Sequence, residues 1–553
     1  MGTKQTAGDA AAIRLDGSGQ GGQKSGMVRI MVISLGLFVI FLDSTVVNIA
    51  LSSIIARFGM SLDKAAWIMN GYTMTVAMLL VFMGRLADLI GKYRLYMLGL
   101  LVFLASSLMC ALSTGPTMLI VFRVMQGIGG AMSIPASMGL ARAAAPEGKV
   151  GAAMGIWSAA GALAIAAGPA LGGVLTEWAG WRAVFYINLP VIGIASLLML
   201  RLFKGYKDER TRIRLNPVST ILLSGGIYLL TDSLLSGQDE GWASLRIVGG
   251  FCCAALLLVA YIGLERRSKT PLVDLRLFRN RAYTVGVSSN FLGGMLLMGI
   301  MILAPLYFTE VRHYSTIHAS LAITPLSAIL LVAAPLVGKW ADRAGAVRPL
   351  TAGYIIALIG CGMMAVIQSD SSAPFVMASL TIVGTGVGFI AVTSLTLSTL
   401  NVKPADISMA SGVFAMMRNL GGAVGVALFV SIMLSSFNGS AAAMEKAVVA
   451  QVEHADWAEP AKSEALAAVH AFYADTANRS KAETASASAG LGSLGEDRSG
   501  QLEAWLKDEA ERSEAKAMGR AYLGGAVLTV LFMAALLAMR GQRAARASGQ
   551  GAG

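Results

Sequence analysis

The chain has 553 residues, of which 55% are hydrophobic and 14% are charged, and its mean hydropathy is +0.65. Since a soluble globular domain carries about 25% charged residues, this composition excludes such a domain and indicates a polytopic membrane protein. The formal net charge is +12, but the basic residues cluster in short loops between apolar runs, so the charge does not indicate nucleic acid as a partner.

Fourteen apolar runs follow one another along the chain, and each approaches the roughly 20 residues that a helix needs to cross a bilayer. They lie at about 28–50, 66–83, 95–113, 116–140, 150–177, 181–203, 215–236, 243–265, 282–309, 317–337, 349–368, 373–400, 407–436 and 517–540. Residues 1–27 are rich in glycine and serine and are predicted to form a disordered tail, and residues 541–553 form a second tail. All four cysteines lie inside apolar runs, so no disulfide framework is expected.

A short basic turn occurs twice. Gly84–Arg94 reads GRLADLIGKYR and Gly338–Arg348 reads GKWADRAGAVR, with five identities at one offset of 254 residues. Each copy follows the second span of a set of six, so the repeat predicts two halves with the same orientation. The halves cover residues 28–204 and 282–540, and the two spans within 215–266 form an extra central pair.

Lysine and arginine are distributed unequally between the loops of the two membrane faces. If the N-terminus is cytoplasmic, the inner loops and tails hold 28 basic residues and the short outer loops hold five. Because cytoplasmic loops are enriched in Lys and Arg, both termini are predicted to be cytoplasmic.

Residues 437–515 form an acidic insert before the last span, with 14 Asp and Glu against seven Lys and Arg. Ala441–Trp457 and Ala461–Asp475 are predicted to be short helices, and Ser480–Gly500 a flexible linker. The predicted orientation places the insert outside the cytoplasm. Two interpretations stay open: a solvated helical hairpin, or an acidic vestibule that influences how cations leave.

Asp43 lies well inside the first predicted span and Arg123 inside the fourth. A charge near a helix centre costs about 2.5–3.5 kcal/mol on insertion scales, so such residues indicate a functional site. At 1.5 Å per residue both lie about 10 Å below the outer face, so the two side chains could meet. A carboxylate whose partner distance changes between two states can take up a proton in one and release it in the other, which predicts proton coupling at Asp43.

The alternative for this pair is a static ion pair that only stabilises the fold. Asp232 and Glu310 are the other carboxylates near the membrane. Both lie close to the outer ends of their spans, so they are expected to be modulators at most.

Asp88 and Asp342 occupy the same position in the two copies of the turn, at the predicted cytoplasmic edge. A carboxylate there can face the positive N-terminus of a neighbouring helix, a contact worth about 0.3–1 kcal/mol. Such a contact can hold the cytoplasmic side shut in one state and break in the other. The candidate gating residues are Gly84, Arg85, Asp88, Gly91, Lys92, Arg94 and Asp342. The alternative is that the basic residues only fix the orientation, which does not explain the repeat.

The fifth span contains GPALGG at Gly168–Gly173. Pro169 removes a helix hydrogen bond and permits a bend, and the small residues permit close helix approach. The candidate residues of this helix are Gly168, Pro169, Gly172 and Gly173.

A substrate cavity is expected between the two halves near the bilayer midplane, with a lining rich in methionine and aromatic residues. Its candidate residues are Asn48, Trp67, Asn70, Tyr72, Gln126, Trp157, Phe414 and Arg418. Arg418 has no membrane carboxylate near it in sequence, so it could face an aqueous cavity or a substrate.

Four motifs together resemble a known family. Leu42–Leu51 (LDSTVVNIAL), the turn GRLADLIGKYR, Arg123–Ala131 (RVMQGIGGA) and GPALGG are similar to the motif set of the fourteen-span drug:proton antiporters of the major facilitator superfamily, the EmrB/QacA type. The resemblance implies an all-α polytopic membrane protein with the major facilitator fold, two parallel six-helix halves plus two extra central helices. Ser52 departs from the pattern, since the family often has proline there, and only some members have the long insert.

This resemblance also implies a function. The family exports lipophilic or cationic drugs and toxic compounds across the bacterial cytoplasmic membrane, driven by inward proton flow. It implies a gating role for Asp88, a proton-linked role for Arg123, and an antiporter role for the helix with Gly168 and Pro169.

Other functions remain as alternatives. An exporter of one specific endogenous metabolite or lipid, or an importer, could share the fold. A membrane-embedded enzyme or receptor is not supported, since no His/Asp or Cys cluster lies in the apolar runs and no large cytoplasmic domain exists. No cofactor or metal is expected. The expected partners are a small-molecule substrate, protons and the lipid bilayer, and a periplasmic adaptor protein is left open.

Overall fold

The computed structural model describes residues 20–549 apart from 61, 147–148, 207, 209–215, 269–270, 401, 404–405 and 477–495. The described residues form helices and connecting turns, with no strand among them. Within this part of the chain, thirteen helices are long and apolar enough to cross a membrane, and a bent helix at Val150–Ala179 makes fourteen when counted as one span. The predicted all-α polytopic architecture is therefore confirmed.

The first half contains six membrane-crossing units. They are α1 (Gln20–Phe58), α2 (Leu62–Ile90), α3 (Lys92–Ala111), α4 (Pro116–Ala143), the bent α5 (Val150–Ala179) and the pair α6 (Ala183–Tyr186) with α7 (Asn188–Leu202). α1 packs along α5 and α7, and α4 packs between α2 and α3. The buried apolar side chains of these helices form the core of this half.

The extra pair consists of α8 (Pro217–Glu240) and α9 (Leu245–Arg267). Each helix begins at a side-chain cap: Asn216 accepts a hydrogen bond from the Val218 amide at 3.0 Å, and Ser244 accepts one from the Ile247 amide at 3.4 Å. The two helices pack on each other, and α8 also contacts α2. The outer surface of α9 is largely exposed, as expected for a helix that faces lipid.

The second half repeats the six-helix order. Its helices are α10 (Arg281–Leu306), which continues into a π-helical turn at Tyr307–Val311, α11 (Thr316–Ala344), α12 (Val347–Ala365), α13 (Ala373–Thr399) and α14 (Ile407–Asn438). Two shorter helices follow, α15 (Ala441–His454) and α16 (Glu459–Thr476), and then the long α17 (Glu496–Gly549), which completes this half.

The interface between the two halves is built from equivalent helices of each half. The second helix of the first half, α2, packs against α14, the fifth helix of the second half. In the same way α11, the second helix of the second half, packs against α5. The turns after α2 and α11 lie at one end of these pairs, and that end is called the basic face below; the opposite end, which carries α15 and α16, is called the insert face.

The matched glycines of the two turns explain part of the repeat. Gly91 and Gly345 end α2 and α11 with φ of 110° and 79°, a left-handed region that glycine adopts without strain. Each glycine therefore lets the chain reverse directly into the next helix.

Several predicted boundaries differ from the structure. α1 begins at Gln20, inside the predicted disordered tail 1–27, and runs to Phe58, beyond the predicted end at residue 50. α17 begins at Glu496, so the last five residues of the predicted linker Ser480–Gly500 are helical; residues 477–495 lie outside the described residues. α17 also continues through the predicted tail 541–553 as far as Gly549. In each case a helix extends past its apolar run, because a helix already begun adds further hydrogen bonds at little cost.

Candidate transport site

Asp43 and Arg123 form a sealed ion pair in the first half. α1 supplies the carboxylate and α4 the guanidinium, and Arg123 Nη1 lies 2.5 Å from Asp43 Oδ2. Both side chains are 0% exposed, so neither reaches water in this state. The structure thus brings together the two residues whose depths matched in the sequence. Because α1 extends to Phe58, Asp43 lies further from this end of its helix than the apolar run predicted.

Two amide side chains complete the coordination of Asp43. The Nε2 of Gln126 donates to Asp43 Oδ1 at 2.9 Å, and the Nδ2 of Asn188 donates to the same oxygen at 2.8 Å. Gln126 also accepts a hydrogen bond from Arg123 Nη1 at 2.8 Å, which closes a ring of three side chains. The carboxylate therefore accepts three hydrogen bonds, from Arg123, Gln126 and Asn188.

Asn188 and Ser107 were not predicted from the sequence. Asn188 is the first residue of α7, after the break at Ile187, and its Nδ2 also donates to Ser107 Oγ at 2.9 Å. Ser107 in turn donates to the Phe185 carbonyl at 2.9 Å. The signal available in the sequence was a polar amide near the start of the sixth apolar run.

Aromatic and backbone groups hold Arg123 in place. Its Nε donates to the Ile68 carbonyl at 3.0 Å, and its guanidinium lies 4.4 Å from the ring centre of Tyr72. The Tyr72 hydroxyl donates to the Ile40 carbonyl at 3.0 Å. Arg123 Nη2 and Asn188 Oδ1 are buried without a hydrogen-bond partner among the described residues, so the network retains one free donor and one free acceptor.

Asp88 connects the two halves at the basic face. Its Oδ2 accepts a hydrogen bond of 2.9 Å from the Met409 amide, in the first turn of α14. Asp88 is 1% exposed, and the positive end of a helix dipole stabilises a carboxylate there by about 0.3–1 kcal/mol, more when partly buried. Lys92, which is also buried, interacts electrostatically with the same carboxylate.

Arg85 makes a second link between the halves. Its Nη1 lies 3.0 Å from Oδ1 of Asp406, the residue before α14, and its Nη2 donates to the Pro271 carbonyl at 3.1 Å. Pro271 belongs to the segment between α9 and α10, so this one guanidinium joins the first half, the second half and the linker of the extra pair. The sequence indicated a gating turn but neither of these two partners.

Asp342 makes the equivalent contact in the second copy of the turn. Its Oδ1 accepts a hydrogen bond of 3.2 Å from the Gly151 amide, in the first turn of α5. Unlike Asp88, Asp342 is exposed. Asp88 thus joins the first half to a helix of the second, and Asp342 joins the second half to a helix of the first. The Asp88 contact is the stronger of the two, because it is shorter and buried.

The first glycine of each turn permits this approach. A Cβ on Gly84 would lie 2.5 Å from the Ser408 carbonyl oxygen, and one on Gly338 would lie 2.7 Å from the Gly151 carbonyl oxygen. Any larger side chain would push the facing helix away. Arg94 is exposed, and its backbone amide donates to Asp208 at 3.4 Å, so Asp208 caps the start of α3.

The helix with GPALGG is bent. α5 changes direction by 46° between Val150–Ile165 and Ala170–Ala179, the interval that contains Gly168 and Pro169. α1 packs against α5 beside the bend, where Gly168 faces Thr45 and Gly172 faces Val46, while a Cβ on Gly173 would meet no other atom within 4 Å. The small residues thus let α1 and α5 approach closely.

A narrow cavity lies between the halves. Helices α5, α10, α11, α13 and α14 line it, with Ser158, Asn290, Leu297, Leu330, Val392 and Arg418 among the lining residues. Its volume of about 40 Å³ has room for only a few water molecules. A drug-sized ligand needs about 300–1,000 Å³, so the halves must separate before such a ligand can enter.

Of the eight predicted cavity residues, only Arg418 lines this cavity. Tyr72 and Gln126 belong to the Asp43 network. Trp157 and Phe414 are buried in the core at 5% exposure each. Asn48 and Trp67 are exposed, and Asn70 is half-buried.

The predicted lining of methionine and aromatic residues is wrong for this cavity, which is lined by small and aliphatic side chains. The reason is that α11 packs closely on α5 and α13, and α10 packs closely on α13, and glycine and alanine at such contacts permit the close approach. The buried methionine and aromatic side chains lie mostly in the cores of the two halves.

Asp232 and Glu310 lie apart from the Asp43 network. Asp232 faces Arg246 at 3.5 Å, and Glu310 accepts a hydrogen bond from the Thr309 hydroxyl at 3.2 Å. Among the described residues, no group of three or more His, Cys, Asp or Glu side chains could hold a metal ion.

Comparison with known proteins defines the class to which this fold and site belong. The family model of the Major Facilitator Superfamily matches residues 33–426. The chain therefore belongs to the Major Facilitator Superfamily, a family of membrane transporters. A solved structure with a similar fold is the human organic anion transporter MFSD10 (TETRAN), with a TM-score of 0.53 and 15% identity over 73% of this chain and 93% of that one.

Named bacterial relatives are similar over about three quarters of this chain. Multidrug resistance protein Stp of Mycobacterium tuberculosis is 32% identical over 74% of this chain and 76% of its own length. The tetracenomycin C resistance and export protein of Streptomyces glaucescens is 30% identical over 73% of this chain and 76% of its own. Riboflavin transporter RibZ of Clostridioides difficile is 28% identical over 75% and 89%. The relatives thus include drug-resistance and export proteins as well as a vitamin transporter.

Proposed function

We propose that this protein is a proton-coupled exporter of lipophilic drugs and toxic compounds, of the fourteen-span antiporter type, in the bacterial cytoplasmic membrane with both termini in the cytoplasm. The single observation that carries the proposal is the sealed Asp43–Arg123 network. Family membership and the resistance and export proteins among the relatives support the direction of transport and the class of substrate.

The chemistry of coupling follows from the hydrogen bonds of Asp43. In the described state, Arg123, Gln126 and Asn188 all stabilise the carboxylate as an anion. A state in which α1 moves away from α4 would leave the carboxyl in a low-dielectric environment without these donors, which favours the protonated acid. Movement of α1 relative to α4 would therefore exchange a proton between the two sides of the membrane.

The contacts at the basic face supply the conformational part of the cycle. Asp88 and Asp342 bridge the halves in the described state, which is closed on the face predicted to be cytoplasmic. Breaking both contacts would let substrate enter from the cytoplasm. An exporter of one endogenous metabolite is the second candidate, and the vitamin transporter among the relatives favours it.

Transport in inverted membrane vesicles tests the proposal. Vesicles with the unmodified protein should accumulate a fluorescent lipophilic dye when a proton gradient is imposed, and an uncoupler should abolish the accumulation. Asp43→Asn should remove substrate-induced proton release while dye binding persists. Asp232→Asn is the matched control, since that carboxylate lies outside the network, and it should keep most of the activity. Proton release at normal rates in Asp43→Asn would contradict the proposal.

A further inference from the structure

Arg418 is the charged residue that the network and the gate leave unexplained. It lies in α14 and lines the cavity between the halves. No hydrogen bond or ion pair joins its guanidinium to another residue in the part of the chain that the structure describes. Its neighbour on the first half is the ring of Phe41, whose centre lies 5.4 Å from the guanidinium carbon.

Two other arginines that are buried in the protein have countercharges. Arg123 faces Asp43 at 2.5 Å, and Arg85 faces Asp406 at 3.0 Å. Arg418 also lies within the membrane-spanning part of the protein, yet it has only the face of an aromatic ring, a weak partner compared with a carboxylate. A cation placed within the membrane and left without an anion is unfavourable unless another molecule supplies the anion.

The surroundings of Arg418 indicate what that molecule presents. The described cavity lining contains no carboxylate, and its polar groups are Ser158 and Asn290. The Nδ2 of Asn290 is already used, since it donates to the Phe414 carbonyl at 2.7 Å. The five N–H donors of a guanidinium match carboxylate, phenolate and phosphate oxygens in a bidentate geometry.

We propose that Arg418 binds an anionic oxygen group of the transported compound, so that the preferred substrates are amphipathic organic anions. This inference rests on the proposed export function and names its substrate class. It departs from the expectation of cationic drugs, because a free guanidinium in the cavity wall repels a cation. In the closed state Phe41 covers the guanidinium, and opening of the cavity exposes it to substrate.

The position of Phe41 links this site to the proton site. Phe41 and Asp43 are two residues apart on α1, which places them about 200° apart around the helix axis. Asp43 accordingly faces α4 and Arg123, while Phe41 faces Arg418 across the interface. A rotation or shift of α1 that releases Asp43 from Arg123 also moves the Phe41 ring off Arg418.

Binding of two xanthene dyes of similar shape and opposite charge tests the inference. The purified protein in nanodiscs of phosphatidylcholine is titrated with fluorescein, an anion, and with rhodamine 6G, a cation, without any proton gradient. Fluorescein should bind saturably. Arg418→Gln should weaken fluorescein binding at least 10-fold and leave rhodamine 6G binding unchanged or tighter. Arg418→Lys should retain part of the fluorescein affinity, because lysine keeps the positive charge but lacks the paired N–H donors of the guanidinium.

Three further measurements make the result decisive. Arg266→Gln, which changes an exposed arginine at the end of α9, is the matched control and should bind fluorescein normally. Unchanged size-exclusion elution of the Arg418 variants shows that they fold. Nanodiscs that also contain phosphatidylglycerol distinguish the sources of the anionic group, since loss of fluorescein binding there identifies a lipid headgroup as the ligand of Arg418.

Two outcomes would overturn the inference: no saturable fluorescein binding by the unmodified protein, or equal fluorescein affinity in the protein and in Arg418→Gln. Neither depends on transport. Gradient-driven transport of rhodamine 6G by a protein that does not bind fluorescein would reject this inference and keep the proposed function. Arg418-dependent fluorescein binding by a protein that shows no gradient-driven transport would keep this inference and reject the proposed function.

Discussion

Asn188 joins Asp43, the proposed proton site, to a neighbouring helix. It is 0% exposed, and its amide nitrogen donates both to Asp43 at 2.8 Å and to Ser107 at 2.9 Å. Through Asp43 it contacts α1, and through Ser107 it contacts α3. One side chain at the start of α7 therefore fixes the carboxylate relative to a third helix.

Asn188→Ala should destabilise the protein and weaken coupling. A hydrogen bond to a charged group contributes about 1.5–3 kcal/mol, and its removal leaves Asp43 with two donors. The thermal unfolding temperature of the purified protein should fall, and proton release per transported substrate should decrease. Asn48→Ala changes an exposed asparagine on α1 and serves as the control. An unfolding temperature equal to that of the control would show that the amide contributes nothing to the network.

At the scale of residues, the sequence predicted the carboxylate and the guanidinium of the buried ion pair, but only part of their surroundings. Asp43 and Arg123 stood out because ionisable residues are rare in apolar runs. Asn188, Gln126 and Ser107 are neutral, and neutral polar residues occur on many membrane helices, so position alone could not assign them to the network. Arg418 was predicted to face a cavity or a substrate, and its lack of a partner became visible only in three dimensions.

At the scale of elements, the repeated turn works as a pair of unequal contacts between halves. Asp88 is 1% exposed and reaches the first turn of α14, whereas Asp342 is exposed at the first turn of α5. Lys92 is buried beside Asp88, and the equivalent position in the second turn is Ala346. Water competes with the exposed contact and much less with the buried one, so the first turn holds the basic face more firmly.

Asp88→Asn should therefore slow transport more than Asp342→Asn. The loss of a charged acceptor at a helix N-terminus is worth about 1.5–3 kcal/mol when buried, which corresponds to about 10-fold or more in the population of the closed state. Initial rates of dye efflux, normalised to expression, are the measurement. Asp342→Asn provides the matched control in the same fold. Equal and small effects of the two changes would leave the turn with only an orienting role.

The repeat predicted the positions of the two turns in the fold, but it could not predict every residue that the turns contact. The matched spacing required equivalent positions in both halves, and the structure shows both carboxylates at helix N-termini. Asp406, Pro271 and Asp208 lie in connecting segments without periodic pattern, so nothing in the sequence connected them with the turn. The 46° bend of α5 at Gly168 and Pro169 was foreseen as a possibility, because proline leaves one carbonyl without its amide partner.

At the scale of the whole molecule, the insert is a folded unit at one end of the second half. Val448 of α15, Val469 of α16 and Leu502 of α17 are each 0% exposed and share one apolar cluster. Trp457 stacks on Trp505 with ring centres 5.4 Å apart. The third helix of this unit is the extension of the last membrane helix, so the insert is tied to the transport domain by a continuous helix. His313, after α10, adds a second tie through its contact of 2.7 Å with Glu511.

The predicted orientation of this unit has a direct test. The distribution of lysine and arginine places the insert outside the cytoplasm and the basic face inside. In a background that lacks the four native cysteines, Ser463→Cys puts one exposed thiol on α16, and Lys204→Cys puts one on the opposite face after α7. An impermeant maleimide added to intact spheroplasts should label Ser463→Cys only. Lys204→Cys should react only after the membrane is opened, because the reagent must first reach the cytoplasmic face. The reverse pattern would show that the basic face lies outside the cytoplasm. The contact at Asp88 would then close the protein on the outer side of the membrane.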